Sequence, residues 1–199
     1  MRIIAGKYRS RPLQSLKGLP LRPTSDRLRE SLFNVLGELV VGSHFIDAFA
    51  GTGAVGVEAL SRGAKEAVFI EKDASAVALI KGNLALLQIT EGARVLSVDV
   101  LPALRLLAKE NSSGGEGRQI LFLDPPYAHA AEYDRVLSFL GSATLFSENS
   151  LVIAEHRRKF ELPEVVERLE RVRVLRQGDA ALSFYRLRKN PSGNDSGSK

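Results

Sequence analysis

A chain of 199 residues, 44% of them hydrophobic, carries one domain or one domain with a small appendage, large enough to bury roughly 70% of its unfolded surface without staples. It has no cysteine and only three histidines (His44, His129 and His156), which excludes disulfides and thiolate metal sites, so no metal is expected. The net charge of +5 comes with no signal-like apolar run and no stretch near the roughly 20 apolar residues of a membrane span, so a cytoplasmic protein with no membrane partner is expected.

The first 30 residues hold eight Lys or Arg against two acids, a charge of +6; the remaining 169 hold 20 basic and 21 acidic groups, a charge of −1. All of the excess positive charge therefore sits in the N-terminal segment. That asymmetry suits a polyanion-binding extension, since each phosphate neutralised releases a counterion, although a solvated arm has the same composition. Residues 2 to 14, with Ile3, Ile4, Tyr8 and Leu13 around Gly6, are compatible with a short hairpin. Arg22-Pro23-Thr24-Ser25-Asp26 then offers N-cap oxygens to a helix with Leu28, Leu32, Val35, Leu36 and Leu39 at helical spacing. Arg27, Arg29 and Glu30 lie off that stripe. Residues 1–40 are expected to form a basic hairpin and helix, with 41–189 the main domain.

From residue 44 onward, short apolar runs alternate with helical patterns. Strands are predicted near 44–48, 67–71, 94–98, 119–123 and 150–155, and helices near 54–62, 74–88, 100–109 and 131–140. This alternation implies crossover connections and an α/β fold, a mainly parallel Rossmann-like sheet with helices on both faces. Residues 170–176 and 181–187 flank Gln177-Gly178-Asp179 and predict a closing antiparallel hairpin. The polar, Gly/Ser-rich stretches 111–117 and 190–199 predict mobile segments, the second a disordered tail.

The first predicted strand runs into Asp47-Ala48-Phe49-Ala50-Gly51-Thr52-Gly53-Ala54-Val55-Gly56. Glycines at 51, 53 and 56 between a strand and a helix let a ligand approach the backbone and the amides at the helix start. Glu71 closes the second strand, where a carboxylate can accept both hydroxyls of a ribose, and Asp99 follows the third, where it can hold an adenine amine. Asp47 can serve by bonding loop amides or by meeting a ligand's ammonium group. At this point the ligand can still be a dinucleotide or S-adenosylmethionine. The fourth strand runs into Asp124-Pro125-Pro126-Tyr127. A base amine is a poor nucleophile because its lone pair is delocalised, and acceptors aimed at its protons draw that pair out of conjugation. The Asp124 carboxylate and the rigidly held Pro125 carbonyl are such acceptors, and Tyr127 offers a face for an extruded base.

These motifs together resemble class I S-adenosylmethionine methyltransferases that act on exocyclic amines. More narrowly, Arg2-Ile3-Ile4-Ala5-Gly6-Lys7-Tyr8-Arg9, Arg22-Pro23-Thr24 and Arg27-x-x-x-Ser31-Leu32-Phe33-Asn34 resemble the RsmD family, over almost the whole chain. The resemblance implies methylation of a guanine N2 amine in 16S ribosomal RNA, free or in a precursor particle of the small subunit, by a monomer. It implies S-adenosylmethionine as donor, held by Asp47, Phe49, Gly51, Gly53, Glu71, Lys72, Asp99 and Val100. Asp124, Pro125, Pro126 and Tyr127 would face the base, and Arg2, Lys7, Arg9, Arg11, Arg22 and Arg27 the RNA. His156-Arg157-Arg158-Lys159 has no implied role and reads as a solvated loop more readily than as a phosphate contact.

Three rivals remain. A nicotinamide-dependent oxidoreductase shares the glycine loop, but a chain this short has little room for a substrate domain and Asp-Pro-Pro-Tyr has no part in hydride transfer. A non-catalytic RNA-binding protein has no need of Asp124. A DNA or RNA adenine-N6 methyltransferase shares the catalytic motif but commonly carries a dedicated recognition region, for which only the basic arm is available here.

Overall fold

The fold was taken from a computed structural model, which describes residues 1–15, 24–111, 117–126, 131–143 and 146–188. Arg22, Tyr127, most of the Gly/Ser stretch and the predicted tail lie outside the described residues.

Eight strands form one sheet in the order β3-β2-β1-β4-β5-β8-β7-β6. The strands are β1 (His44–Ala48), β2 (Glu66–Ile70), β3 (Ala93–Leu96), β4 (Gln119–Leu123), β5 (Leu151–Arg157), β6 (Val165–Val166), β7 (Leu169–Gln177) and β8 (Ala180–Leu187). The first five pair in parallel, while β8 pairs antiparallel with both β5 and β7. The helices are α1 (Asp26–Leu36), α2 (Ala54–Ser61), α3 (Ala74–Leu86), α4 (Val100–Asn111) and α5 (Ala131–Ser142).

The core strands are apolar on both faces, as a sheet covered by crossover helices requires. Phe45, Phe69, Ile120, Phe122 and Ile153 point into one core, shared with α1, α2 and α3. Their alternate neighbours Ile46, Val68, Leu121, Leu123 and Val152 point into the other, shared with α4 and α5. Local chemistry sets the helix ends. Ser25 accepts from the Leu28 amide at 3.1 Å to start α1, and Asp73 accepts from Ala76 at 2.9 Å to start α3. Gly37, at φ +49°, stops α1 and leads into a 3-10 turn, Gly37–Val40.

The N-terminal segment is hairpin-like, with one antiparallel bridge between Arg2 and Pro12 and the Ile3 amide bonded to the Arg11 carbonyl at 3.0 Å. Ile3 and Leu13 are buried in the same core as α1 and α2. Gly6, at φ +83°, lets the strap touch the end of α2, where a Cβ would lie 1.8 Å from the Ser61 carbonyl oxygen.

Several details depart from the sequence reading. Strand β3 ends at Leu96, so Asp99 lies three residues past the strand rather than at its tip. Strand β5 continues to Arg157, and β6 was not foreseen, since two residues carry no periodicity. Arg29, which lies off the apolar stripe, is fully buried beside Glu58, because the N-terminal strap covers the helix face that local spacing leaves open.

Candidate active site

The sheet order reverses between β1 and β4, and both strands deliver their motifs to the crevice opened there. After β1 the chain turns through Phe49 at φ +62°, Gly51 at +54° and Gly53 at +74°. Phe49 is a large side chain in the left-handed region, a strain tolerated where surrounding bonds overdetermine the loop. The Ala50 amide bonds Ile70 at 3.0 Å, and the Gly53 amide bonds Ala50 at 2.7 Å. A Cβ on Gly51 would meet only the Phe49 carbonyl, at 3.9 Å, so this part of the loop is open to a ligand. Gly56 has a different reason: a Cβ there would lie 2.4 Å from the Phe69 ring, so the glycine lets α2 settle on β2.

Asp47 bonds an amide in the first turn of α2, its Oδ2 accepting from Gly56 at 2.8 Å. Burial pushes its carboxyl up to about 8; the Gly56 bond opposes that rise and the nearby Glu71 charge adds to it. Glu71 is half-buried and straps the loop: its Oε2 accepts from the Gly51 amide and its Oε1 from the Asp73 amide, both at 2.9 Å. A carboxylate has about four acceptor positions. Two are used here, which leaves capacity for the paired hydroxyls of a ribose. Lys72 is exposed and lies 3.5 Å from Asp99, whose Oδ1 accepts from the Val100 amide at 2.7 Å. Val100 is buried beneath, at the start of α4. The donor-binding candidates thus gather at neighbouring strand ends, with Asp99 the most exposed of the acids.

Asp124 is brought to the same crevice by a bond from its amide to the Ala48 carbonyl, 3.4 Å long, which sets it beside the glycine loop. Pro125 is buried and Pro126 exposed. Burial holds the Asp124 carboxyl well above the usual carboxylate range, the charges of Glu155 and Asp47 add to this, and the Thr24 hydroxyl opposes it. Glu155 has no role in the sequence reading, where Thr24 stands only in a capping run and in Arg22-Pro23-Thr24. An acid closing the apolar run Leu151-Val152-Ile153-Ala154 gives the same signal as Glu71 on β2, whereas the approach of Thr24 to Glu155, at 2.7 Å, is made only by the fold. Arg2, Lys7, Arg9, Arg11 and Arg27 are all exposed. In the run at the end of β5, His156 is buried and bonded to the Arg157 carbonyl and the Ser183 hydroxyl, both at 2.9 Å, so it packs the hairpin. Arg157, Arg158 and Lys159 are exposed.

A glycine loop at the switch point of a parallel sheet, with acids on the adjoining strand ends, is the framework of class I S-adenosylmethionine-dependent methyltransferases, and S-adenosylmethionine is the methyl donor. The Escherichia coli protein yhhF has this structure, with a TM-score of 0.77 and 31% identity covering 96% of this chain and 99% of that one. Within the class, the family described as conserved hypothetical protein 95 matches residues 1–186, and the chain belongs to it, the RsmD family. The chain is 36% identical to YlbH of Bacillus subtilis over 188 residues, 94% of this chain and 100% of that protein. To ribosomal RNA small subunit methyltransferase D of Escherichia coli it is 34% identical over 185 residues, 93% of this chain and 89% of the relative.

Proposed function

We propose that this chain methylates the exocyclic N2 amine of a guanine in 16S ribosomal RNA, free or within a small-subunit precursor particle. The observation that carries the reading is the placement of Asp124 beside the glycine loop, tied there through Ala48. Relatives named for small-subunit ribosomal RNA methylation support the substrate. When bound, S-adenosylmethionine supplies an electrophilic methyl group. The residues proposed to hold it are Asp47, Phe49, Gly51, Gly53, Glu71, Lys72, Asp99 and Val100.

The protein's part is to make the amine nucleophilic and to hold it still. The Asp124 carboxylate and the Pro125 carbonyl accept the two amine protons, which localises the nitrogen lone pair. Pro126 keeps that turn rigid, and Tyr127 supplies the aromatic face for the base. The proton that the amine sheds on gaining a methyl group goes to an Asp124 carboxylate oxygen and then to water. Arg2, Lys7, Arg9, Arg11, Arg22 and Arg27 are the proposed phosphate contacts. All these groups come from one chain, so the proposed working unit is a monomer.

The test combines labelled donor, small-subunit ribosomal RNA and nucleoside analysis. Labelled N2-methylguanosine is expected, and label in N6-methyladenosine would overturn the guanine assignment. In the same assay Asp124→Ala should lower kcat by about 10²–10³ and leave donor affinity nearly untouched, because its acceptor role matters most as the amine attacks. Near-normal turnover in that variant removes Asp124 from the chemistry.

A further inference from the structure

The basic run at the end of β5 has no part in the reading above, and strand register shows where it lies. β4 and β5 are parallel, with Leu123 paired to Ala154, so the chain leaves both strands at the same end of the sheet. Asp124 follows Leu123 there, and β5 runs on to Arg157. Arg157 pairs with Ala180, and Ala180 with Gln177, which brings the β7–β8 turn to that end too. Arg176 of β7 stands in the next row, with Ala181 and His156. At about 4.8 Å between strands, β7 is about 15 Å from β4.

Asp124 thus divides the rim of the sheet. The donor-binding candidates belong to the ends of β1, β2 and β3, on one side of β4, while β5, β8 and β7 lie on the other. A base held at Asp124 must bring its neighbouring nucleotides over a part of the rim that the donor does not fill, which is the β5 side. Much of the basic strap lies elsewhere. The Lys7 amide bonds the carbonyl of Ser61, the last residue of α2, at 2.7 Å, and Arg11 Nη2 bonds the carbonyl of Leu86, the last of α3, at 3.2 Å. Crossover helices run back from the crevice, so these contacts are toward the opposite end of the sheet.

The β5 side of the rim is tied down. The Arg158 amide donates to the Asp179 carbonyl at 2.7 Å, joining the run to the β7–β8 turn, and the Phe160 amide closes a turn onto the Arg157 carbonyl at 2.9 Å. The Phe160 ring lies 5.5 Å from that of Tyr133 and 6.5 Å from that of His156. Arg158, Lys159 and Arg176 are exposed, with Glu161 and Asp179 the exposed acids in the same two turns. Among the described residues none of the three cations is in an ion pair, whereas Arg171 of the same hairpin is paired with Glu164.

We infer that Arg158, Lys159 and Arg176 form a phosphate-binding rim that holds the RNA backbone beside the target nucleotide, on the side of Asp124 away from the donor. This rests on the reading of ribosomal RNA as substrate and of Asp124 as the amine acceptor. A backbone already fixed by the turn loses little freedom on binding, and each phosphate neutralised releases a counterion.

Filter binding of the full chain to small-subunit ribosomal RNA across a salt series tests this, with calorimetry for the donor. Arg158→Gln, Lys159→Gln and Arg176→Gln should each lower the log–log slope by about 0.7–0.9. The triple variant should raise KM for RNA by about tenfold or more, while kcat at saturating RNA and donor affinity stay at the parent values, as loss of uniform binding requires. Arg158→Lys combined with Arg176→Lys keeps the charge and should keep the parent slope. Arg186→Gln, in the far half of β8 opposite Glu170, is the control and should leave the slope unchanged. Parent slopes in the three single variants and the triple, with the parent methylating the RNA, would overturn the inference and leave the proposed function standing. An equal loss in Arg186→Gln would also overturn it, since that is diffuse attraction without a site. A parent protein that neither binds nor methylates the RNA would remove the reading on which the rim rests.

Discussion

Asp47 is 2% exposed beneath the glycine loop, and burial raises its carboxyl to about 8. A raised carboxyl favours the folded state fully only below its unfolded value, near 3.8, and that contribution is lost as pH climbs through the folded value of about 8. In donor-free protein the fold must therefore either keep Asp47 protonated or bury a charge. Asp47→Asn retains an acceptor for the Gly56 amide and has no proton to lose. Its stability relative to the parent should rise between about pH 4 and pH 8 and then level off, read from urea unfolding at several pH values. A parent-to-variant difference that does not change with pH would mean that the carboxyl ionises freely where it lies.

At the scale of the element, α2 binds the N-terminal strap through Glu58 and Ser61. Glu58 is fully buried and accepts from the Ile4 amide at 2.8 Å, the Ala5 amide at 3.0 Å and Arg62 Nε at 2.7 Å. Arg29 of α1, also fully buried, lies 3.7 Å away, and its Nη2 bonds the Arg2 carbonyl and Asp26. Removing Glu58 leaves the buried Arg29 with only the exposed Asp26 as counter-charge, and breaking a buried pair costs up to about 3–5 kcal/mol. Glu58→Ala should lose about that much in chemical unfolding, and it strands two backbone amides as well. A loss below about 1 kcal/mol would show that water reaches the site and replaces the carboxylate. The sequence hints at neither burial: Glu58 lies in an apolar helix, but Arg29 stands off the apolar stripe of α1, and only the strap folded over it takes it out of water.

For the molecule as a whole, the positive charge lies on a segment that is also part of the core. Ile3 is 1% and Leu13 6% exposed, so deleting residues 1–15 would damage the fold as well as any RNA contact. Charge reversal at the exposed Arg9, Arg11 and Arg27 separates the two effects. The triple glutamate variant should keep donor affinity, lose RNA affinity, and show a shallower log–log salt dependence, by about 0.7–0.9 for each phosphate contact removed. Filter binding across a salt series measures the slope. An unchanged slope would place the RNA on another face, with Arg157, Arg158 and Lys159 at the end of β5 the next residues to reverse.

Local pattern alone determined the alternation of β1 to β5 with α2 to α5, the glycine loop, Glu71, Asp124 and the closing hairpin. Each of these is written in neighbouring residues, as period, turn chemistry or an acid ending an apolar run. The landing place of β8, between β5 and β7 rather than at the outer edge, came only from the tertiary structure. So did the burial of Arg29 and the hydrogen bond between Thr24 and Glu155. These depend on strand order and on which segment covers which face, and such contacts join residues far apart in the chain, where no periodicity connects them. Asp124 can thus be named from four consecutive residues, but the hydrogen bond between Thr24 and Glu155, 131 residues apart, becomes visible only when the segment before α1 is seen to meet β5.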